Sequence, residues 1–143
     1  MNNTPPTGAT LIELVVTLAV LSALSLVALP ASAHLRNHAS VRSATTELTE
    51  ALALARSSAL AESRVVAVMI DSSAGRALVA TVADTLLDLP LGSRYGIALS
   101  TTRDSIAYGP TGRGFGAANA TVMLRRGRAQ DTVTISRLGR VRH

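Results

Sequence analysis

The chain contains no cysteine among its 143 residues, so neither a disulfide framework nor a thiolate metal site is available to it. Tryptophan is also absent, and aromatic residues make up only 2% of the composition. Because 48% of the residues are nevertheless hydrophobic, the core must be built from Ala, Val, Leu and Ile. The length suits a single globular domain beside an apolar segment.

Lysine is missing as well, and every Lys or Arg position is an arginine. The arginines are unevenly placed, because residues 1–35 contain none. Residues 1–110 hold seven Arg and eight acidic residues, a net charge of −1, whereas residues 111–143 hold seven Arg and only Asp131, a net charge of +6. The positive surplus therefore lies in the C-terminal third of the chain.

The first third contains a long apolar run, residues 14–33, with no acidic or basic charge. As a helix that rises about 1.5 Å per residue, this run would reach about 30 Å, the thickness of a bilayer's hydrocarbon core. Glu13 lies at its front edge without a Lys or Arg nearby. An ionised group deep in hydrocarbon costs roughly 2.5 to 3.5 kcal/mol, so Glu13 must lie near the interface or meet a positive partner. The run predicts one membrane span.

Residues 8–13 read GATLIE and resemble the signature of type IV prepilins. The resemblance implies that prepilin peptidase cuts after Gly8 and that the new N-terminus, Ala9, is methylated. It also implies that Thr10 and Glu13 serve assembly, with the Glu13 carboxylate pairing with the terminal amine of a neighbouring subunit. Pro30 lies where pilin helices commonly carry a proline, and it predicts a kink.

Two other interpretations of this segment remain open. The Ala-Ser-Ala sequence at 31–33 has the small-x-small form of a signal-peptidase site, which would make His34 the first residue of a secreted protein. Alternatively, Glu13 is an ordinary interfacial carboxylate of an anchor that holds a periplasmic domain. The N-terminus of the mature protein separates these alternatives, because prepilin processing predicts Ala9 there.

Beyond Pro30 the hydrophobic pattern is that of an amphipathic helix ending near Glu62. Apolar residues recur three or four positions apart, at Val41, Ala44, Leu48, Leu52, Ala55 and Ala59. We therefore divide the chain as follows: leader peptide 1–8, transmembrane and assembly helix 9–33, amphipathic helix 34–63 and head domain 64–143.

In the head the period changes to that of β-strands. Two hairpins are predicted, the first from 65–70 and 76–82, and the second from 121–126 and 132–136. Their predicted turns are 71–75 and 127–131. Further short strands are predicted at 96–101, 105–108 and 138–142, whereas 84–93 is ambiguous between a loop and a helical turn.

Three short motifs in the head resemble the GspH/FimT family of minor pseudopilins. They are a helical segment at 52–57, a Pro-x-Gly element at 110–112 and a Gly-Arg-Val-Arg strand at 139–142. Their order along the chain is the specific part of the likeness. The resemblance implies an α+β fold in which a long N-terminal helix packs on a small antiparallel β-sandwich head.

No arrangement in the sequence is typical of catalysis. His34 and His38 share a helical face without a carboxylate cluster, and Asp84 and Asp88 lie in a predicted loop without a His partner. The glycine-rich segment 109–116 lacks the Lys-Ser/Thr and the following helix of a phosphate-binding loop, so we interpret it as structural. The sequence predicts neither an enzyme nor a bound cofactor or metal.

Two functions follow from these features. The first is a structural minor pseudopilin of a type II secretion system or type IV pilus-like fibre, single-pass in the bacterial inner membrane, with its head in the periplasm or fibre. Its partners would be prepilin peptidase and other pseudopilins or pilins.

The second function is a minor pilin that binds DNA during uptake in natural transformation. The proposed DNA-binding residues are Arg126, Arg128, Arg140 and Arg142. In an extended strand Arg140 and Arg142 would share one face while Val141 turns into the core. The alternative is that this arginine-rich tail is solvated and protects an edge strand from aggregation.

Overall fold

The computed structural model describes residues 10–115 and 119–143. Inside its long helix, the side chains of residues 26–31 lie outside that description. The helices are α1 (Leu11–Ala61) and α2 (Leu91–Tyr95). The strands among the described residues are β1 (Val66–Asp71), β2 (Arg76–Ala80), β3 (Thr85–Leu89), β4 (Ala98–Thr101), β5 (Ser105–Tyr108), β6 (Gly114–Phe115), β7 (Ala120–Arg126), β8 (Ala129–Ile135) and β9 (Val141–Arg142).

The chain divides between Leu35 and Arg36 into two compact units. In the first unit, α1 is helical through Pro30. No helix of the described residues combines the length and hydropathy that a membrane span requires. The predicted span 14–33 includes the positions whose side chains are not described, so both this span and the kink at Pro30 stay predictions.

The second unit begins with the C-terminal half of α1, whose apolar face is buried as its spacing predicts. All six predicted core residues are between 0% and 3% exposed: Val41, Ala44, Leu48, Leu52, Ala55 and Ala59. Arg42 and Glu50, on the other faces, are exposed. The helix ends at Ala61, one residue before the predicted end, and Ser63 then takes a left-handed backbone conformation with φ of 50°.

The strands form two antiparallel sheets. The first has the order β3-β2-β1-β5-β6 and the second has the order β4-β7-β8-β9. Both predicted hairpins are present, as β1 with β2 and as β7 with β8. Inward-facing residues from both sheets and from α1 form one core of mainly aliphatic side chains that also includes Tyr108. The fold is thus α+β with a long N-terminal helix packed on an antiparallel sheet domain, and the sandwich arrangement of the two sheets stays a prediction.

The first hairpin closes because Asp71 satisfies the backbone of its own turn. Asp71 Oδ1 accepts hydrogen bonds from the N–H groups of Ser73 and Ala74, each at 2.9 Å. Gly75 supplies the left-handed position that precedes β2, with φ of +63°. Hydrogen bonds from the Ser73 hydroxyl and the Ala74 N–H lower the pKa of Asp71.

The ambiguous segment 84–93 folds as strand β3 followed by α2. Asp88, predicted to lie in a loop, is therefore on a strand, where its carboxylate forms an ion pair with Arg76 of β2. The reason is tertiary packing, because Leu89 and Leu91 are buried at 4% and 0% exposure and fix this segment against the core. The sequence around these two leucines does not show a periodic pattern that would predict their burial.

The second hairpin and the terminal strand also differ from the sequence prediction. Strand β8 begins at Ala129, so Asp131 lies within the strand instead of in a turn. Strand β9 contains only Val141–Arg142, because the preceding residues form a tight turn in which the Ser136 N–H donates to the Arg140 carbonyl at 2.9 Å.

Candidate functional site

In the first unit, Thr10 and Glu13 cap the start of α1. The N–H and Oγ1 of Thr10 donate to Glu13 Oε2 at 2.9 and 3.1 Å, and the Glu13 N–H donates to Thr10 Oγ1 at 3.3 Å. This reciprocal arrangement is a capping box, in which side chains satisfy backbone donors that have no partner inside the helix. The Thr-x-x-Glu spacing signals such a box in the sequence, whereas the prepilin resemblance implies an assembly role for both residues.

Apolar side chains cover this part of α1 and are exposed. Leu11 is 83% exposed and Ile12 is 70% exposed. Further large side chains that are each more than half exposed are Leu14, Val15, Val16, Leu18, Val20, Leu21 and Leu24. Contiguous apolar surface of this kind marks contact with lipid or with another protein. Glu13 is the one Asp, Glu, Lys or Arg residue between positions 10 and 35.

The predicted peptidase site, Gly8 and Ala9, lies outside the described residues. Cleavage and N-methylation therefore stay predictions. Thr10 is the first described residue, and α1 begins at Leu11. Cleavage after Gly8 would place the new amine immediately before the Thr10 cap.

In the second unit, two glycine motifs that are far apart in sequence meet at Tyr108. A Cβ added to Gly139 would lie 2.9 Å from the Gly112 carbonyl oxygen and 3.1 Å from Tyr108 Cε1. A Cβ added to Gly112 would lie 3.0 Å from Leu60 Cδ1. Both glycines have positive φ, +72° and +68° respectively. We call these four residues, Leu60, Tyr108, Gly112 and Gly139, the Tyr108 junction.

Tight turns hold the two glycines in the Tyr108 junction. The Gly112 N–H donates to the Gly109 carbonyl at 2.8 Å, and the Gly139 N–H donates to the Ser136 carbonyl at 2.9 Å. The glycine-rich segment 109–116 thus contains a turn followed by the short strand β6, and its last residue, Gly116, lies outside the described residues.

The terminal strand β9 carries the predicted arginine tail. Val141 pairs with Ile135 of β8, and Arg142 pairs with Thr134. Val141 is half-buried against the core, as predicted, and Arg140 and Arg142 are exposed. Arg140 lies in the turn before the strand. None of the ion pairs found in the described part of the chain involves either arginine.

Arg126 and Arg128 lie at the opposite end of β8. Arg126 Nη1 donates to Ser40 Oγ of α1 and to the Tyr95 carbonyl, both at 2.6 Å, whereas Arg128 is exposed. Arg142 pairs with Thr134, which lies five residues after Ala129, the first residue of β8. Five residues of a strand span about 17 Å, and this separates Arg142 from the end of β8 where Arg126 and Arg128 lie. The four predicted arginines therefore form two separate pairs, and Arg126 has a structural contact that the sequence did not indicate.

A cavity of about 300 Å³ adjoins the Tyr108 junction between α1 and β9. Its lining residues are Thr49, Leu52, Ala53, Arg56, Ser57, Leu60, Tyr108, Gly139 and Val141. Tyr108 is 0% exposed, and its hydroxyl has no hydrogen-bond partner among the described residues. Burial raises the pKa of Tyr108, and the nearby Arg56 guanidinium opposes this shift to a smaller extent.

A larger cleft of about 650 Å³ lies between α1 and β8. Residues His38, Arg42, Thr45, Asp131 and His143 contribute to its lining. Within residues 10–115 and 119–143, no group of three His, Cys, Asp or Glu side chains is placed to hold a metal ion.

Comparisons with known proteins agree with this architecture. The family model described as Type II transport protein GspH matches residues 44–139. No curated protein matches the chain. Two crystal structures of the type IV minor pilin FimU of Pseudomonas aeruginosa PAO1 match the fold, each at 16% identity and over 71% of this chain. The match covers 86% of one FimU chain with a TM-score of 0.62, and 90% of the other with a TM-score of 0.59.

The FimU similarity concerns the fold alone. The family match covers about two thirds of the chain and includes the buried face of α1 from Ala44 onward, both hairpins and the Tyr108 junction. The GspH/FimT resemblance of the sequence motifs is confirmed, and the chain belongs to the GspH family of pilin-like minor pseudopilins.

Proposed function

We propose that this protein is a structural subunit of a pseudopilin or type IV pilus-like fibre, cut by prepilin peptidase between Gly8 and Ala9 and methylated at Ala9. Before assembly, the segment 9–33 anchors it in the bacterial inner membrane, with the head on the extracytoplasmic side. Other pseudopilins or pilins are its partners, and the role involves no catalysis. The observation that carries the proposal is the exposed apolar surface at the start of α1, with a single carboxylate at its tip.

Such a surface serves both stages of the proposed life of the subunit. Lipid covers this apolar surface while the unassembled protein is in the membrane, and the helices of neighbouring subunits cover the surface in the fibre. The Glu13 carboxylate is costly in either setting unless its charge is neutralised. Among the described residues of the free subunit, the neutral donors of Thr10 bind the Glu13 carboxylate. In the proposed fibre, a neighbouring subunit brings the protonated amine of its own N-terminal residue.

The capping box and the assembly role of Glu13 are separable by substitution. Glu13→Gln keeps an oxygen that accepts from the Thr10 N–H but removes the charge. We expect this variant to be processed normally and to crosslink to fibre partners far less than the unmodified protein. Thr10→Val is the matched control, because it weakens the cap and retains the charge, and it should crosslink more than Glu13→Gln.

Crosslinking of Glu13→Gln at the unmodified level would contradict the assembly role. In that case the carboxylate would serve only to cap the helix. A variant that fails to be cleaved would not be informative for assembly, so the length of the membrane-bound chain is measured in the same cells.

DNA binding is a second candidate function, and one observation favours it. Arg140 and Arg142 are exposed, and the buried Gly139 with positive φ fixes the turn from which they project. Phosphate contacts of this kind position a protein on DNA without reading its sequence. Only Phe115 is a nearby exposed aromatic residue, so base stacking should contribute little.

A DNA titration of the full chain in detergent micelles at several salt concentrations tests this second function. Phosphate binding predicts an affinity that falls steeply with salt, and replacing both Arg140 and Arg142 with Ala should flatten the slope by about two units of log K per log salt. Arg103→Ala, which removes an exposed arginine outside the four predicted DNA-binding residues, is the control for loss of charge. The DNA role fails if no binding occurs at low salt.

A further inference from the structure

The cavity at the Tyr108 junction has an unusual combination of linings. Leu52, Leu60 and Val141 give it apolar walls, and Arg56 contributes the charged side chain of the lining. The volume of about 300 Å³ is enough to hold one or two large aliphatic side chains. The cavity opens beside the edge of the second sheet, where β9 is the last strand.

The buried hydroxyl of Tyr108 is a second, independent observation. The residue lines the cavity, is 0% exposed and has no hydrogen-bond partner among the described residues. A buried polar group without a partner costs about 1–3 kcal/mol, so native proteins rarely leave one in place without a reason. A carbonyl group in the cavity could accept a hydrogen bond from this hydroxyl only once the side chains that cover the hydroxyl move aside, because the hydroxyl is closed to water.

The edge strand β9 offers backbone groups at the same place. The Ser136 N–H donates to the Arg140 carbonyl, so the alternation of an antiparallel ladder makes the pair of Arg142 with Thr134 hydrogen-bonded and the pair of Val141 with Ile135 non-hydrogen-bonded. The N–H and carbonyl of Val141 consequently point away from β8, toward the open edge. An extended segment would find a donor and an acceptor there.

The positive charge around the cavity favours an acidic segment over a basic one. Arg56 lines the cavity, Arg140 and Arg142 flank Val141, and all three side chains are exposed. The residues that line the cavity include no Asp or Glu. A segment with an apolar residue between acidic ones would therefore match the cavity and its arginine rim.

We propose that this cavity between α1 and β9 binds an extended segment of a different subunit of the fibre, with an apolar side chain flanked by carboxylates; the proposal rests on the proposed assembly function. The segment pairs with Val141 as an added strand, and its apolar side chain fills the cavity. One of its carbonyl groups accepts from the Tyr108 hydroxyl, and its carboxylates meet Arg56, Arg140 and Arg142. This contact lies on the head and is distinct from the one made by Glu13.

The test uses the full chain in detergent micelles and a synthetic peptide, acetyl-Asp-Val-Leu-Val-Asp-amide. A peptide with Lys in place of both Asp residues is the matched control. The acidic peptide should bind at least about tenfold more tightly than the basic one, and the difference should shrink as salt is raised. Binding should also slow hydrogen exchange at the Val141 amide, which a purely electrostatic contact would not do.

Two helix variants test the cavity itself. Ala53→Phe fills it from an exposed helix position and should weaken binding of the acidic peptide by about tenfold or more, whereas Leu54→Phe, on an exposed position outside the cavity, should not. Thermal unfolding of both variants verifies that they are folded. Tyr108→Phe should weaken binding by a smaller factor because it removes only the hydroxyl.

Several results would overturn the proposal. They are equal affinity for the two peptides, equal effects of Ala53→Phe and Leu54→Phe, and unchanged exchange at Val141. If protection of the Val141 amide from hydrogen exchange rose with protein concentration alone, the occupant would be a second copy of this chain, and the proposal would be rejected. Failure of the chain to enter fibres would reject the proposed function but would leave the peptide result intact, so the two failures are distinguishable.

Discussion

Gly139 illustrates how a single residue fixes the geometry of the arginine tail. Its backbone has φ of +72°, and an added Cβ would meet the Gly112 carbonyl oxygen at 2.9 Å. Both the left-handed conformation and the contact with another backbone oppose any side chain there. We expect Gly139→Ala to lower the free energy of unfolding by about 1–3 kcal/mol, measured by denaturant unfolding.

Gly109→Ala is the matched control for this prediction. Gly109 lies in the neighbouring turn but has no positive φ, and its added Cβ would meet the Phe115 side chain at 3.4 Å and the Arg113 carbonyl oxygen at 4.0 Å, both ordinary contact distances. Gly109→Ala should therefore lower the free energy of unfolding much less than Gly139→Ala does. Equal losses for the two variants would show that the Tyr108 junction has no special need for glycine.

Tyr108 should make the stability of the protein depend on alkaline pH. Burial raises its pKa in the folded state, so its stabilising contribution is fully present below the unfolded pKa of about 10 and is lost as pH rises through the higher folded value. Tyr108→Phe cannot ionise. The variant should therefore retain more stability than the unmodified protein when unfolding is measured above about pH 10.

At neutral pH the same substitution should be nearly neutral. The Tyr108 hydroxyl has no hydrogen-bond partner among the described residues, so its removal leaves no other group unsatisfied. The free energy of unfolding should stay the same or rise by up to about 1 kcal/mol. A loss of more than about 2 kcal/mol would mean that the hydroxyl is bonded inside the folded head.

Individual residues also show what the sequence can and cannot predict. The Thr-x-x-Glu spacing of Thr10 and Glu13 is a local signal, and it suffices to predict the observed capping box. The meeting of Gly112 with Gly139 is a contact between distant parts of the chain, and neither turn contains information about the other. Local spacing and periodicity therefore predict caps and the buried faces of helices, whereas the contacts at the Tyr108 junction depend on the tertiary fold.

At the scale of elements, Arg126 connects three parts of the head. From β7 it donates to the Ser40 hydroxyl on α1 and to the Tyr95 carbonyl at the end of α2, both at 2.6 Å. Charged donors in such half-buried sites contribute about 1.5–3 kcal/mol. Arg126→Ala should lower the free energy of unfolding by about that amount, measured by denaturant unfolding.

Arg128→Ala removes the same charge from the same hairpin and is the control. Arg128 is exposed, so its loss should change stability by no more than about 0.5 kcal/mol. If both variants lost the same stability, the contribution of Arg126 would be a general charge effect, and the specific contacts to Ser40 and Tyr95 would not matter.

Elements differ in how far the sequence predicts them. The sequence predicts six buried residues of α1, because a spacing of three or four is itself the cause of a one-sided helix, but the prediction omits Thr45 and Ala51, which are also buried. The sequence does not predict strand β3 and helix α2. Their formation depends on burying Leu89 and Leu91 against a core that exists only after folding. The shortness of β9 has a similar cause, because the turn at Gly139 includes Arg140.

At the scale of the whole molecule, the two units have different chemical surfaces. The first exposes an apolar helix with one carboxylate, and the second has a closed core and an arginine-rich edge. In the proposed fibre, the apolar helix would pack against helices of neighbouring subunits and the arginine-rich edge would contact neighbouring heads. The family match, at residues 44–139, lies within the second unit.

The N-terminus of the protein in purified fibres tests the central claim most directly. Fibres from cells that express this protein with its assembly machinery should contain a chain whose first residue is N-methylated Ala9, identified by mass spectrometry. Gly8→Leu is the control, since a bulky residue at the cleavage site should leave the chain at full length and outside the fibre. A chain that begins at His34, or one that is absent from fibres although it is expressed, would contradict the account.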